Sequence, residues 1–328
     1  LEKEINNTKA EKCSFCNFCS FIDVCEADWK KNRHLNQVGG INKINIKKLK
    51  KNGIETIDDL CKLKTNTKIL GLREEIVKKR IEQAKLQLEF EKTGIPIFKN
   101  IDENLYVRKG FNLLPKPSEG DLFFDLESTQ HAYDEKIEYL FGFYYLEYNE
   151  KKYISLWSHN KTEEKKNLIK FFDFTKAHFK KHKGAKIYHY GNYEIQNLER
   201  LTSTYKVKHI EYDQYLRSSK FVNLLSICQD AIMISENSYS LKNIEKFYPF
   251  NRTGDVQKGE QSEEFYLEWV QTNNKKFKDQ IIDYNKQDCY STFKLREWLL
   301  EKKKETGTKF FEEIEENEDD EELMEHEK

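Results

Sequence analysis

The sequence predicts an α/β domain over residues 119–302, preceded by a helical stretch and a cysteine-bearing segment. Three observations carry this. Short apolar strands alternate with helical patterns only after residue 119. Residues 31–92 show helical spacing with no strand pattern. Four of the seven cysteines, Cys13, Cys16, Cys19 and Cys25, fall within the first 30 residues.

The elements follow in order. Residues 1–30 hold the cysteine segment. In residues 31–92, Val38 and Ile41 bracket Gly39–Gly40, Ile46 and Leu49 follow at helical spacing, and a second short helix begins near Thr56 with Leu60 after Gly53–Ile54. This reads as a helix–hairpin–helix. Ile76 to Phe90 continues as an amphipathic helix with Ile76, Ile81, Ala84 and Leu88 on one face. Residues 93–118, with Pro96, Pro115 and Pro117, form a connector. In the α/β block, "LFFDL" is a strand, and residues 139–147 and 152–158 form a hairpin turning at Asn149–Lys151. A helix spans about Thr162 to His182, "AKIYHY" gives a further strand, and a helix starts in "GNYEIQNLERL". The run Lys276 to Lys302 is one long helix with Ile281, Ile282, Phe293, Leu295 and Leu299 as core candidates. Residues 303–328 are a charged tail. No solenoid-length repeat is present.

Composition narrows the function classes. The chain has 328 residues and a net charge of −1, but residues 312–327 hold 11 acidic side chains and no Lys or Arg. Without residues 312–328 the count is 55 basic against 46 acidic, and residues 31–90 alone hold 15 basic and 7 acidic. A basic body with an acidic tail suits a nucleic-acid partner. No apolar run reaches the ~18 residues of a membrane helix, and no signal peptide opens the chain. A cytoplasmic protein without a membrane partner is expected. The first residue is Leu1 rather than Met, as in a piece of a longer polypeptide.

Two groups of residues bear chemistry at the N-terminal end. The spacing C-x2-C-x2-C-x5-C brings Cys13, Cys16, Cys19 and Cys25 within reach of one Zn2+ or an iron–sulfur cluster. Disulfides compete with that reading and are disfavoured without a secretion signal. Cys61, Cys228 and Cys289 read as buried thiols. In the helical block, Gly39 and Gly40 allow close backbone approach to a phosphate, with Lys43, Lys47, Lys48, Lys50 and Lys51 as neutralising side chains.

The α/β block carries the acids. Asp125 and Glu127 stand two apart on one strand face. Two carboxylates on an apolar strand are costly without a cation between them. Glu194 falls at a strand-to-helix junction, and Tyr284 and Asp288 share a helical face. Four carboxylates suit two hard ions, Mg2+ or Mn2+, held about 3.5–4 Å apart to activate a water and stabilise a leaving oxygen. Tyr284 is placed to orient that water. Arg252 and Lys242 are further candidates for phosphate contact and stay outside the catalytic set.

The segments "FFDLES", "YHYGNYE" and "YNKQD" resemble motifs I, II and III of the DEDD 3′–5′ exonucleases, with the tyrosine form of motif III, and "SYSLKNIEKFY" resembles the segment before it. From the cysteines through "VGGI" to "WLL", the chain resembles RecB-like nucleases that carry a C-terminal YprB-type ribonuclease-H-like domain. The resemblance implies a mixed sheet flanked by helices and a metal-dependent 3′–5′ exonuclease using Asp125, Glu127, Glu194, Tyr284 and Asp288; the helix–hairpin–helix content favours DNA over RNA as the substrate. The resemblance also implies a 4Fe–4S cluster through Cys16, Cys19 and Cys25, an upstream RecB-type nuclease domain and a helicase partner. The chain departs from the pattern at Glu194, where motif II has Asp, at Tyr190 after His189, and at Asn223, where related sequences have Asp. These departures leave two rivals: a decayed module that only grips a strand, and a scaffold for a helicase or upstream nuclease whose acidic tail mimics nucleic acid.

Overall fold

The computed structural model describes residues 10–13, 15–16, 19–101, 109–129, 136–253 and 259–310. The acidic run 312–327 lies outside the described residues. The chain divides into two compact units, residues 1–100 with 233–243, and residues 101–232 with 244–328.

The first unit is mainly helical, with one short strand, Phe98–Asn100, paired to Ile232–Ile234. Helix α1 (Ile22–Lys31) buries Trp29. Helix α2 (Lys43–Lys51) begins at Asn42, whose side chain accepts the Asn45 N–H at 2.8 Å. Helix α3 (Ile57–Lys62) opens with a reciprocal capping box between Thr56 and Asp59. Helix α4 (Glu74–Thr93) ends at Gly94, whose φ of 69° suits glycine. Leu35, Val38, Leu49, Leu60, Ile81 and Ala84 are buried together.

The face of α4 differs from the expected one. Val77, Gln83 and Gln87 are buried beside Ile81 and Ala84, while Ile76 and Leu88 are half-buried. The cause is polar. Gln83 Nε2 donates to Ile234 O at 2.8 Å, and Gln87 Oε1 accepts the Gly39 N–H at 2.8 Å. Residues 233–243, which the sequence groups with the α/β block, thereby join this unit, where the Ser235 N–H also donates to Ile97 O at 2.8 Å.

The second unit is built on a mixed sheet of five strands among the described residues. They are β1 (Leu122–Ser128), β2 (Glu138–Glu147), β3 (Glu150–Trp157), β4 (Ile187–His189) and β5 (Phe221–Asn223), in the order β3-β2-β1-β4-β5. β2 runs antiparallel to β1 and β3, whereas β1, β4 and β5 are parallel. The β2–β3 turn falls at Tyr148–Asn149, slightly before the expected Asn149–Lys151, because these two residues take the positive φ values, 51° and 62°, that a two-residue hairpin turn demands.

Helices α5 (Lys161–Lys181), α6 (Tyr193–Tyr205) and α7 (His209–Arg217) supply residues to one core. There Phe171, Leu198 and Tyr215 are buried with Leu122, Phe124 and Leu126 of β1. The alternate residues of β1 are Phe123, Asp125 and Glu127, on the opposite face. Helix α8 (Leu224–Ala231) precedes α9 (Gly259–Thr272) and the long α10 (Lys275–Glu305). On α10, Ile281, Leu295 and Leu299 are fully buried, and Phe293 packs edge-on to Phe123 with ring centroids 5.2 Å apart. Among the described residues, no helix is long and apolar enough to cross a membrane.

Candidate metal centre

Strand alternation delivers Asp125 and Glu127 to the face of β1 that packs against α10. Helix α10 returns Asp288 to the same place. Carboxylate oxygens of Asp125, Glu127 and Asp288 all lie within 4.8 Å of one another, and no other described residues form such a group.

One glycine makes this convergence possible. Gly142 of β2 stands directly across from Asp125. Asn285 of α10 is buried against it: a Cβ at 142 would lie 1.6 Å from Asn285 Oδ1. Asn285 Nδ2 donates to Asp125 Oδ2 at 2.8 Å, and its Oδ1 accepts the Tyr153 hydroxyl at 2.7 Å. Glu127 accepts hydrogen bonds from Ser262 and Asn285. Asp125 and Glu127 are thus aimed by neutral donors, which orient without cancelling charge.

The charges remain in conflict. Burial, then the charges of Glu127, Asp288 and Glu194, push the Asp125 carboxyl well above the usual range. Burial and the Asp288 charge push Glu127 up to about 8. Burial and the charges of Asp288, Glu127 and Asp125 raise the Tyr284 phenol, so it stays protonated and can donate a hydrogen bond. Arg252 brings a cation to this group: its Nη2 lies 2.5 Å from Asp288 Oδ1. Its Nε and Nη2 also grip Glu245, at 2.8 and 2.5 Å, which restrains the guanidinium.

Glu194, in the first turn of α6, sits outside the 4.8 Å group, although its charge reaches Asp125. It is 4% exposed, and among the described residues its Oε2 has no hydrogen-bond donor. His189 Nδ1 is 3.6 Å away and donates to Gly191 O at 2.8 Å instead. An orphaned buried oxygen beside three like charges fits a divalent cation. Asp125, Glu127, Asp288 and Glu194 would hold it.

A sequence model of the RNase H superfamily matches residues 122–300. The chain belongs to the RNase H superfamily. No curated protein and no solved structure matches it. The five-stranded sheet of this RNase-H-superfamily domain puts Asp125 and Glu127 on its central strand, and members of the superfamily are generally phosphodiester hydrolases.

Asn223 has a local task in this domain. Its Oδ1 caps α8 by accepting the N–H groups of Leu225 and Ser226 at 3.0 and 3.4 Å, and it also accepts the Gly191 N–H at 3.2 Å. Sequence reasoning missed Asn285, Gly142, Tyr153, Ser262 and Glu245, and left Arg252 outside the site. One signal was available: a lone glycine in the bulky run "YLFGFYYLE" marks a close approach.

The cysteine cluster and the glycine–lysine candidates lie in the first unit. Cys13 is exposed, Cys16, Cys19 and Cys25 are half-buried, and all four thiols are free. The Cys13 and Cys16 sulfurs are 4.0 Å apart. The set of four is not gathered as tightly as the acids. Cys228 and Cys289 are buried and Cys61 is half-buried. The Gly39 N–H is already donated to Gln87, while Gly40 is exposed with a φ of 66°. Lys43 pairs with Glu11, Lys48 donates to Gly71 O at 2.6 Å, and Lys47 and Lys51 are exposed.

Proposed function

We propose that residues 119–302 are a metal-dependent 3′–5′ exonuclease that removes nucleoside monophosphates from DNA. One observation carries the reading: three carboxylates from a strand and a helix more than 160 positions apart meet within 4.8 Å, and their mutual charge pushes Asp125 and Glu127 upward. Mg2+ or Mn2+, two ions in the full site, would supply the charge that ionises an attacking water and stabilises the leaving 3′ oxygen. Asp125, Glu127, Glu194 and Asp288 hold the ions. Asn285 keeps Asp125 turned toward them. Tyr284, locked in its protonated form, orients the water and cannot act as the base. Arg252, clamped by Glu245, lends positive charge near the substrate phosphate.

Residues 31–92 act in this reading as a helix–hairpin–helix DNA-binding unit. With the Gly39 N–H occupied, contact falls to Gly40 and the lysines Lys43, Lys47 and Lys48. The free thiols of Cys13, Cys16, Cys19 and Cys25 suit a 4Fe–4S cluster or Zn2+. In a longer protein, residues 1–30 would end a RecB-type nuclease region that works with a helicase.

The test is a 3′-labelled single strand incubated with Mg2+ or Mn2+. The expected outcome is release of labelled mononucleotide by the wild type and none by the Asp125→Ala, Glu127→Ala variant. Equal rates for the two proteins would end the proposal.

A further inference from the structure

A second polar site lies in the helical unit. A cavity of about 920 Å3 opens between the cysteine segment, α1 and α2. Lys12, Lys43, Lys47 and Lys50 line it against two acids, Glu11 and Asp28. Glu11 is already paired with Lys43. At one corner stand His34, Asn36 and Lys50.

The hydrogen bonds at that corner do not balance. His34 Nδ1 accepts the Asn36 N–H at 3.2 Å, closing the short helical turn that follows it. A neutral imidazole whose Nδ1 accepts must carry its proton on Nε2. Yet His34 Nε2 faces Lys50 Nζ at 3.1 Å, and an ammonium has no lone pair to offer. Two donors therefore point at each other. Asn36 adds a third. It is 7% exposed, its Oδ1 accepts from Gln37 Nε2, and among the described residues its Nδ2 has no partner. A buried unmet donor and two half-buried donors that face each other, beside excess lysine charge, call for a ligand that only accepts hydrogen bonds and is negatively charged.

We propose that His34, Asn36 and Lys50 form an anion site that takes a backbone phosphodiester of nucleic acid. The inference rests on the reading of residues 31–92 as a nucleic-acid-binding unit, and it moves the principal phosphate contact away from Gly39 to this corner. An oxyanion between His34 Nε2 and Lys50 Nζ turns a donor–donor clash into two charge-assisted hydrogen bonds, with Asn36 Nδ2 as the third. Such a contact positions the strand and reads no base.

The test uses the full chain in EDTA, which blocks hydrolysis, with a labelled duplex followed by anisotropy over a salt series. Lys50→Met should weaken binding about tenfold and lower the salt slope by about one. Thermal melting in chloride gives a readout that does not depend on DNA. Lys50→Met removes one of the clashing donors, so it should melt no lower than the wild type, whereas loss of an ordinary structural lysine would lower the melting temperature. Inorganic phosphate at matched ionic strength should raise the melting temperature of the wild type and not of the variant. If the wild type binds duplex and Lys50→Met changes neither affinity nor slope, the corner site is wrong and the lysine-row reading survives. If the wild type binds no duplex, both readings fail. If phosphate stabilises the wild type but duplex does not displace it, the phosphodiester assignment is overturned in favour of a free-phosphate site.

Discussion

Two clusters of buried carboxylates occupy the same sheet, and they are treated in opposite ways. Glu138, at the start of β2, is fully buried and meets Lys136 at 3.2 Å, Arg200 at 2.8 Å and the Tyr193 hydroxyl at 3.2 Å. Glu164 of α5 is also fully buried and takes the Glu138 N–H at 2.7 Å, with Lys161 at 3.4 Å and the Tyr205 hydroxyl alongside. Here every acid has a cation and a hydroxyl. Asp125, Glu127 and Asp288 are crowded against one another, Arg252 touches Asp288, and among the described residues Glu194 Oε2 has no donor. The fold can satisfy buried acids where they are structural. Withholding partners at β1 leaves a site that a bound cation would complete.

The largest effect should come from removing charge at the unsatisfied cluster. The Asp125→Asn, Glu127→Gln variant should lose at least about a thousandfold in nuclease rate, since several kcal/mol of transition-state charge stabilisation goes with the ions. It should also melt higher than the wild type in EDTA, because like charges have been taken out. A lower melting temperature would mean that these acids are structural, as Glu138 is.

Gly142→Ala comes next. A methyl group 1.6 Å from Asn285 Oδ1 must push the α10 side chain away from Asp125. Overpacking of this kind costs about 1–3 kcal/mol, and loss of a ligand-orienting neighbour typically costs about 10–100-fold in metal affinity. Isothermal titration with Mn2+ would measure it. An unchanged affinity would separate the helix docking from the metal centre.

The contrast also explains what the sequence revealed. Strand alternation put Asp125 and Glu127 on one face, and helical spacing put Tyr284 four residues before Asp288. Those periodicities are local, and the structure keeps them. The α10 core residues Ile281, Leu295 and Leu299 were readable for the same reason. Helix α4 was misjudged because burial there follows hydrogen bonds, not hydrophobicity: Gln83 and Gln87 are inside because Ile234 O and the Gly39 N–H need partners. Asn285, Tyr153 and Arg252 were not legible as site residues because each acquires its role from a contact across the fold. Asn285 looks like any polar residue of a long helix until Gly142 is seen beneath it. The pairing of Glu138 with Arg200 is likewise invisible in a chain with 57 acids.

A pH titration sharpens the comparison with a smaller signal. In the folded, metal-free protein Glu127 keeps its proton up to about pH 8, while in the unfolded chain it ionises near 4.5. Between those values the unfolded state has released a proton that the folded state retains, so stability falls as pH rises. The melting temperature in EDTA should decline from pH 5 to pH 8, Mn2+ should reverse the decline, and Glu127→Gln should flatten it. A rising curve would show that counter-charges already neutralise the cluster.

The smallest effect is expected at the satisfied cluster. Glu138→Gln removes the anion that Lys136 and Arg200 share. Both cations keep about a third of their side-chain surface exposed, 33% and 36%, so they can turn toward water when released. A fully enclosed pair would cost several kcal/mol to break, but solvent access reduces that to about 1–2 kcal/mol. Gln retains an oxygen for the Tyr193 hydroxyl, which limits the loss further. Mn2+ affinity should stay within about twofold of the wild type, because Glu138 contributes only a minor share of the repulsion at Glu127. If Mn2+ binding instead weakened as much as in Glu127→Gln, the two clusters would be one extended metal site, and the division between paired and unpaired acids would not hold.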